Sequence, residues 1–288
     1  MCVDGRGRGM LSCVDALSPV VLAVLAGGVA AVATVGGVGG ALLLVPLLVL
    51  GGVEPRAAVP LGLLSVTAAS LAAAAPQIER GLVNHRLGMV TEVAASTGAI
   101  AGAAMSGAIS ASGLRVLLGV VAVGAAVLGW LRRSGDEPAL AAVEEGSTAG
   151  ELPGSLSGVF FTGPAGGRYT AVRVPAALVA MLGSGLVAGL TGTSGGYVKT
   201  PVIQHVMAVP AKIAAATTTF TVGITTASAL AVLAFQGRID VVAGGAVVAG
   251  AIVGGRTGAA IQDRLPSRAV RFVLSAALLA IGVVLVTT

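Results

Sequence analysis

The sequence predicts an all-α polytopic membrane protein made of two inverted repeats. Each repeat has about five apolar segments, and the first two form a broken or re-entrant helical hairpin. Three observations lead there. First, 56% of the 288 residues are hydrophobic and only 10% are charged, where a soluble domain carries about 25% charged residues. Second, the apolar residues come in long blocks with few interruptions, and mean hydropathy is +0.99, the signature of a chain solvated by a bilayer. Third, the second half of the chain repeats the first. Strands of a membrane barrel would alternate polar and apolar residues over about 10 positions, and no such alternation occurs.

The net charge of +5 comes from 17 Lys and Arg against 12 Asp and Glu. The basic residues fall in short loops between apolar blocks, so they read as topology signals rather than as a nucleic-acid surface. Cys2 and Cys13 lie in the tail 1–17, outside the apolar blocks, with no metal-ligand spacing and no disulfide framework. His85 and His205 stand near segment ends and are assigned no metal. No cofactor is expected.

Membrane repeat 1 spans 18–133, with apolar segments near 18–36, 40–51, 57–76, 87–107 and 114–131. Residues 134–173 differ in composition. They hold Asp136, Glu137, Glu144, Glu145 and Glu151 among Gly, Ser and Pro, and read as a solvated linker without a packed core. Membrane repeat 2 spans 174–288, with segments near 175–191, 196–208, 212–235, 240–260 and 268–287. A shift of 155 lays Gly40 on Gly195, Pro46 on Pro201 and Pro55 on Pro210. After a one-residue insertion, Gly81 falls on Gly237, Gly98 on Gly254, Gly102 on Gly258 and Arg115 on Arg271. Internal repeats of this size in a membrane chain point to a transporter fold.

The second segment of each half is short and follows a glycine-rich break, "VGGVGG" or "TGTSGG". Twelve residues make about 18 Å of helix, less than the roughly 30 Å hydrocarbon core. If each pair turns back as a hairpin, ten loop cations fall on the linker side and five on the other. A single interrupted span gives nine against six. The positive-inside rule therefore favours the hairpin and a cytoplasmic linker, with both termini opposite; the expected location is the cell membrane of a prokaryote. An odd number of full crossings per half then inverts the repeats.

Irregular backbone at membrane depth must be buried in protein or line a polar cavity. Two such breaks in equivalent places point to a transporter's central site. The candidate substrate-binding residues follow from this. Gly39 and Gly40 come from the first break. Gly192, Thr193, Ser194, Gly195, Gly196 and Lys199 come from the second, where Lys199 adds positive charge and the hydroxyls add donors. An isolated charge at this depth costs about 2.5–3.5 kcal/mol, so an unpaired Lys199 needs a compensating role; snorkelling to the interface is the alternative. Its neutral form is also accessible on burial, which could couple a proton to an anion. The helix that follows sets Thr217, Thr221, Thr225 and Ser228 in one row, read either as interhelical glue or as a lining that adds Thr217 and Thr221 to the site. Gly250, Gly254 and Gly258 read as a packing face, Arg256 as a snorkelling anchor, and Glu92 as a surface or interfacial partner of Arg86, with a proton relay as the alternative.

"GGVGGALLLVPLLVLGGVEPRAA" (36–58) and "TGTSGGYVKTPVIQHVMAVPAKIAAAT" (191–217) form a pattern repeated once per half. It runs glycine-rich break, short apolar run, Pro, about eight residues, Pro, small residues. It resembles the paired signature of the TauE/SafE sulfite-exporter family, also known as toluene sulfonate uptake permeases. The resemblance covers nearly all of the chain outside 1–17 and 134–173. It implies secondary transport, not enzymatic chemistry, of a small anionic substrate such as sulfite or an organosulfonate. Export coupled to the proton gradient is expected, with the lipid bilayer as surroundings, no nucleic acid, and protons as coupling ion. An anion channel or a non-transporting scaffold is the alternative.

Overall fold

The computed structural model describes residues 18–36, 41–131, 150–162, 165–261 and 267–287. These form ten α-helices, one π-helical turn and a small sheet. Repeat 1 contains α1 (Pro19–Gly36), α2 (Ala41–Leu50), α3 (Pro55–Glu79), α4 (His85–Ser106) and α5 (Ala111–Leu131). Repeat 2 contains α6 (Val174–Thr191), α7 (Gly196–Pro201) with the π turn Val202–Val206, α8 (Ala211–Phe235), α9 (Val241–Ile261) and α10 (Ser267–Thr287). Among the described residues, six helices (α3 to α6, α8 and α9) are long and apolar enough to cross a membrane.

The halves correspond helix by helix. α1 and α6 both have 18 residues, α3 and α8 both have 25, and α5 and α10 both have 21. Their ends are built alike. Gly81 and Gly237, with φ of 65° and 67°, end α3 and α8 in the left-handed conformation, which glycine adopts without Cβ strain. Asn84 and Asp240 then cap α4 and α9. The Asn84 side chain accepts from the Leu87 amide at 2.9 Å, and Asp240 accepts from the Val242 and Ala243 amides at 2.9 Å each.

The packing repeats as well, and it fixes the relative orientation of the halves. A methyl group at Gly98 would strike the Leu182 carbonyl, and one at Gly102 the Leu186 carbonyl, so α4 and α6 run parallel in close contact. In the equivalent pair, Gly254 meets the Gly27 carbonyl and Gly258 the Ala31 carbonyl, so α9 and α1 are likewise parallel. The glycine face read from the sequence is therefore a packing face. Helices that correspond to each other run antiparallel. Thr67 of α3 bonds Thr226 of α8 at 2.8 Å, while Gly223 packs on Ser70. Gly119 of α5 meets Gly282 of α10, and Gly129 meets Ser275. A two-fold that exchanges antiparallel spanning helices lies in the membrane plane, so the repeats are inverted.

In repeat 2 the hairpin is formed; the break of repeat 1, at 37–40, lies outside the described residues. α6 leaves from Val172, whose amide donates to the Met207 carbonyl at 3.1 Å, and Gly195 packs back on Ser184 of α6. The chain thus enters along α6, turns at 192–195 and returns through α7 and the π turn to its starting side. Pro201 lacks the amide that would continue an α-helix, and the Met207 amide reaches back to Val202 at 3.0 Å.

The linker corrects the expectation of a segment without a core. Within it, β1 (Gly150–Glu151), β2 (Gly158–Thr162) and β3 (Ala165–Tyr169) form an antiparallel sheet in the order β1-β2-β3. Phe160 and Tyr169 are buried against Met181, Ile203, Met207 and Ile213. The aromatic residues that do this, "VFF" and "RY", were outweighed in the sequence by the surrounding Gly, Ser and Glu. The acidic stretch 134–149, with four of the five acidic residues named above, lies outside the described residues.

Candidate functional site

The second break is closed. Thr191 through Tyr197 are buried without interruption. Gly192 ends α6 at φ 70° with its backbone against Val59, a place where any side chain would collide with α3. Thr191 and Thr193 hydroxyls pair at 2.7 Å, and Thr191 also donates to the Val187 carbonyl at 2.7 Å. Ser194 is buried. The Gly195 carbonyl accepts from Ser184 at 3.0 Å and from the Val198 and Lys199 amides at 3.1 and 3.0 Å. The Gly196 carbonyl accepts from Thr200 at 3.0 Å. Those two amides are therefore already bonded within the turn, and α7 is only six residues long. The break and α7 also bury polar side chains in the protein interior.

The chief of these is Lys199. It is 1% exposed, and its Nζ lies 2.7 Å from Glu92 Oε2, with Glu92 3% exposed. Nζ also donates to Thr225 Oγ1. The other carboxylate oxygen, Glu92 Oε1, accepts from Thr225 at 2.5 Å and from Ser96 at 2.7 Å. Ser228 bonds Ser96 at 3.2 Å. This overturns two expectations. Lys199 is not unpaired, and Glu92 does not serve Arg86, whose guanidinium instead donates to the Leu152 carbonyl at 3.4 Å. The reason is helical phase: Glu92 is six residues past Arg86, on the buried face of α4 with Gly88 and Ala95.

Why these groups meet follows from the fold. α4 and α8 run parallel, and glycine at 88 lets Thr217 and Thr221 approach. The hydroxyl row then lies along α4. Thr217 accepts from the Asn84 amide at 3.0 Å, Thr225 reaches Glu92, and Ser228 reaches Ser96. Thr221 donates to its own helix at the Thr218 carbonyl, at 3.3 Å. The row is thus both helix contact and site. Thr217 secures the start of α4, while Thr225, a member of the row not chosen as a site residue, touches both charges. Sequence reasoning missed Glu92 as a site residue. The usable signal was an acidic residue within an apolar segment that elsewhere carries none.

Gly39 and Gly40 lie outside the described residues. The repeat mates of Lys199, Thr225 and Glu92 are Leu44, Ala69 and Val248, so the polar arrangement exists in one half only. The equivalent seam, between α3 and α9, is an apolar groove of about 420 Å³ lined by Leu64, Ala68, Leu71, Val248 and Ile252, with Thr67 and Arg256 as its polar members.

A family model described as sulfite exporter TauE/SafE matches residues 20–285. No curated protein and no solved structure matches the chain.

Proposed function

The chain belongs to the sulfite exporter TauE/SafE family, a family of membrane transporters rather than enzymes, and from that premise we propose that it exports a sulfur oxoanion, sulfite or an organosulfonate, with proton movement coupled to the export. The bilayer we assign is the cell membrane of a prokaryote, with the linker sheet on the cytoplasmic side. The observation that carries the reading is the fully buried ammonium of Lys199 beside the break of the re-entrant hairpin. A charge held at membrane depth is costly, and an oxoanion is the substrate class an ammonium recognises.

In this reading Lys199 binds the anion, Thr193 and Ser194 supply hydroxyl donors as the break opens, and Gly192, Gly195 and Gly196 give the backbone room to turn. Thr217 and Thr221 line the α8 approach, and Gly39 and Gly40 complete the site from the other repeat. Burial of the whole stretch from Thr191 to Tyr197 favours a carrier that opens over a standing channel. The test is flux of radiolabelled sulfite from proteoliposomes, with and without a pH gradient. Saturable efflux that responds to the gradient supports the reading; absence of flux, or unsaturable flux, overturns it.

A further inference from the structure

We propose that Glu92 is the internal counter-ion that an anion must displace from Lys199, and that the displaced carboxyl group carries a proton, so that one anion and one proton bind together. This rests on the oxoanion reading and adds to it the residue that couples the two.

The geometry separates the two carboxylate oxygens by task. Oε2 faces the ammonium at 2.7 Å, while Oε1 is held by Thr225 and Ser96 at 2.5 and 2.7 Å. If an anion takes the place of Oε2 at Lys199, the hydroxyls still hold Glu92. A hydroxyl can donate to a carboxylate or accept from a carboxylic acid, so this cradle suits both protonation states. A buried carboxylate without a cation is neutralised rather than left charged. On the faces that α4, α6, α7 and α8 turn toward Glu92, Lys199 is the charged side chain among the described residues. The remaining charged groups of these elements, His85, Arg86, Arg173 and Lys212, stand at or before the first turn of their helices, and His205, at the far end of the π turn from Lys199, is exposed. A proton is therefore what remains to balance Glu92.

The proton balance closes simply. One proton passes from water to Glu92, Lys199 stays an ammonium, and an anion of single charge (hydrogen sulfite or a sulfonate) replaces the carboxylate as its partner, so the charge of the site is unchanged. Ser96 and Ser228, both partly exposed at the α4–α8 seam and 3.2 Å apart, continue the hydroxyl chain outward from Glu92.

The mirror half argues that the pair is not there for packing. At the positions equivalent to Lys199, Glu92, Ser96 and Ser228 stand Leu44, Val248, Ile252 and Ala72, and the same helix arrangement forms around them. Replacing a buried ion pair by apolar residues is often neutral or stabilising, and this fold has made that replacement in its other half.

The experiment compares sulfite binding by the purified full chain and by Glu92→Gln across the weakly acidic to weakly alkaline range. The probe's own protonation is common to both proteins and cancels in the ratio. Wild type is expected to lose affinity relative to Glu92→Gln as pH rises, by about 5- to 150-fold, the range of a coupling between two sites. A ratio that does not change with pH overturns the proposal. Calorimetry of wild type in buffers of different ionisation enthalpy needs no variant: uptake on the order of one proton beyond that of free sulfite is expected, and no such uptake overturns it. The double variant Lys199→Leu with Glu92→Val, which installs the mirror residues, is expected to fold and not to bind; wild-type binding by it overturns the proposal. If wild type itself binds and transports no sulfite, the oxoanion reading falls, an outcome distinct from binding that ignores Glu92.

Discussion

Thr67 and Thr226 share a hydrogen bond of 2.8 Å across the α3–α8 crossing, and the repeat mates of these two residues, Gly223 and Ser70, pack on each other beside it. One contact is the other carried through the repeat, so the pseudo-two-fold axis passes between them. Because α3 and α8 are antiparallel there, everything attached to equivalent helix ends lies on opposite faces of the membrane.

That relationship fixes an expected labelling pattern. With Cys2 and Cys13 replaced, a cysteine at Thr170, exposed beside the sheet, and one at Gln236, exposed after α8, should react with a membrane-impermeant thiol reagent from opposite sides. Thr170 should be reached from the cytoplasm. Reaction of both from one side would refute the inverted arrangement.

The fold was legible in the sequence where a residue type has one physical use. Pro46 and Pro201, Gly81 and Gly237, and the breaks before the short helices report backbone conformation directly, and they set the repeat and the hairpin. The sheet was not legible, because Phe160 and Tyr169 bury themselves on helices distant in sequence. The site was half legible. Lys199 stands out by charge, but its partner at 107 positions' separation is a tertiary fact. The six-residue spacing turns Glu92 away from Arg86, but nothing local says that the face it occupies meets α8 and Lys199.

Close helix approach depends on particular glycines rather than on glycine content. At Gly185 a methyl group would collide with the Ala95 carbonyl of α4, whereas at Gly183, one turn face away, nothing lies within 4 Å. Gly185→Ala should therefore destabilise the chain by about 1–3 kcal/mol, and Gly183→Ala should be neutral or slightly stabilising. Thermal unfolding in detergent compares them; equal midpoints would show that the α4–α6 contact is looser than described.

The linker sheet is tied to the membrane helices through Tyr169, whose hydroxyl accepts from Asn84 Nδ2 at 2.9 Å. Burial holds its phenol above the ordinary value of 10.0, and the charge of Glu151 adds to this, while the Asn84 bond offsets part. A group raised in the folded state binds its proton more tightly there. Its contribution is full below pH 10.0 and is lost as pH rises through the higher folded value. Tyr169→Phe should cost about 0.5–1.5 kcal/mol at neutral pH and should flatten the alkaline decline in stability. Unfolding midpoints followed into the alkaline range check both; a variant with the wild-type alkaline slope would assign that slope elsewhere.

Lys199 allows the most discriminating substitution. Were it unpaired, Lys199→Met would relieve a charge and leave the fold intact. Paired as it is at 2.7 Å with Glu92, its removal leaves a buried carboxyl group that stays neutral only by drawing a proton from neutral water, and breaking a buried pair in this way costs about 3–5 kcal/mol. Lys199→Met is therefore expected to unfold at lower temperature and to lose sulfite flux. Lys199→Arg keeps the charge but presents a planar fork in place of a point charge, so it should keep most of the stability and only part of the flux. Adding Glu92→Gln to Lys199→Met should restore stability without restoring flux, because the amide is neutral without a bound proton while the cation is still missing. Unfolding midpoints and proteoliposome efflux, measured on the same four preparations, separate the two effects. Wild-type efflux by Lys199→Met would exclude Lys199 from the anion path.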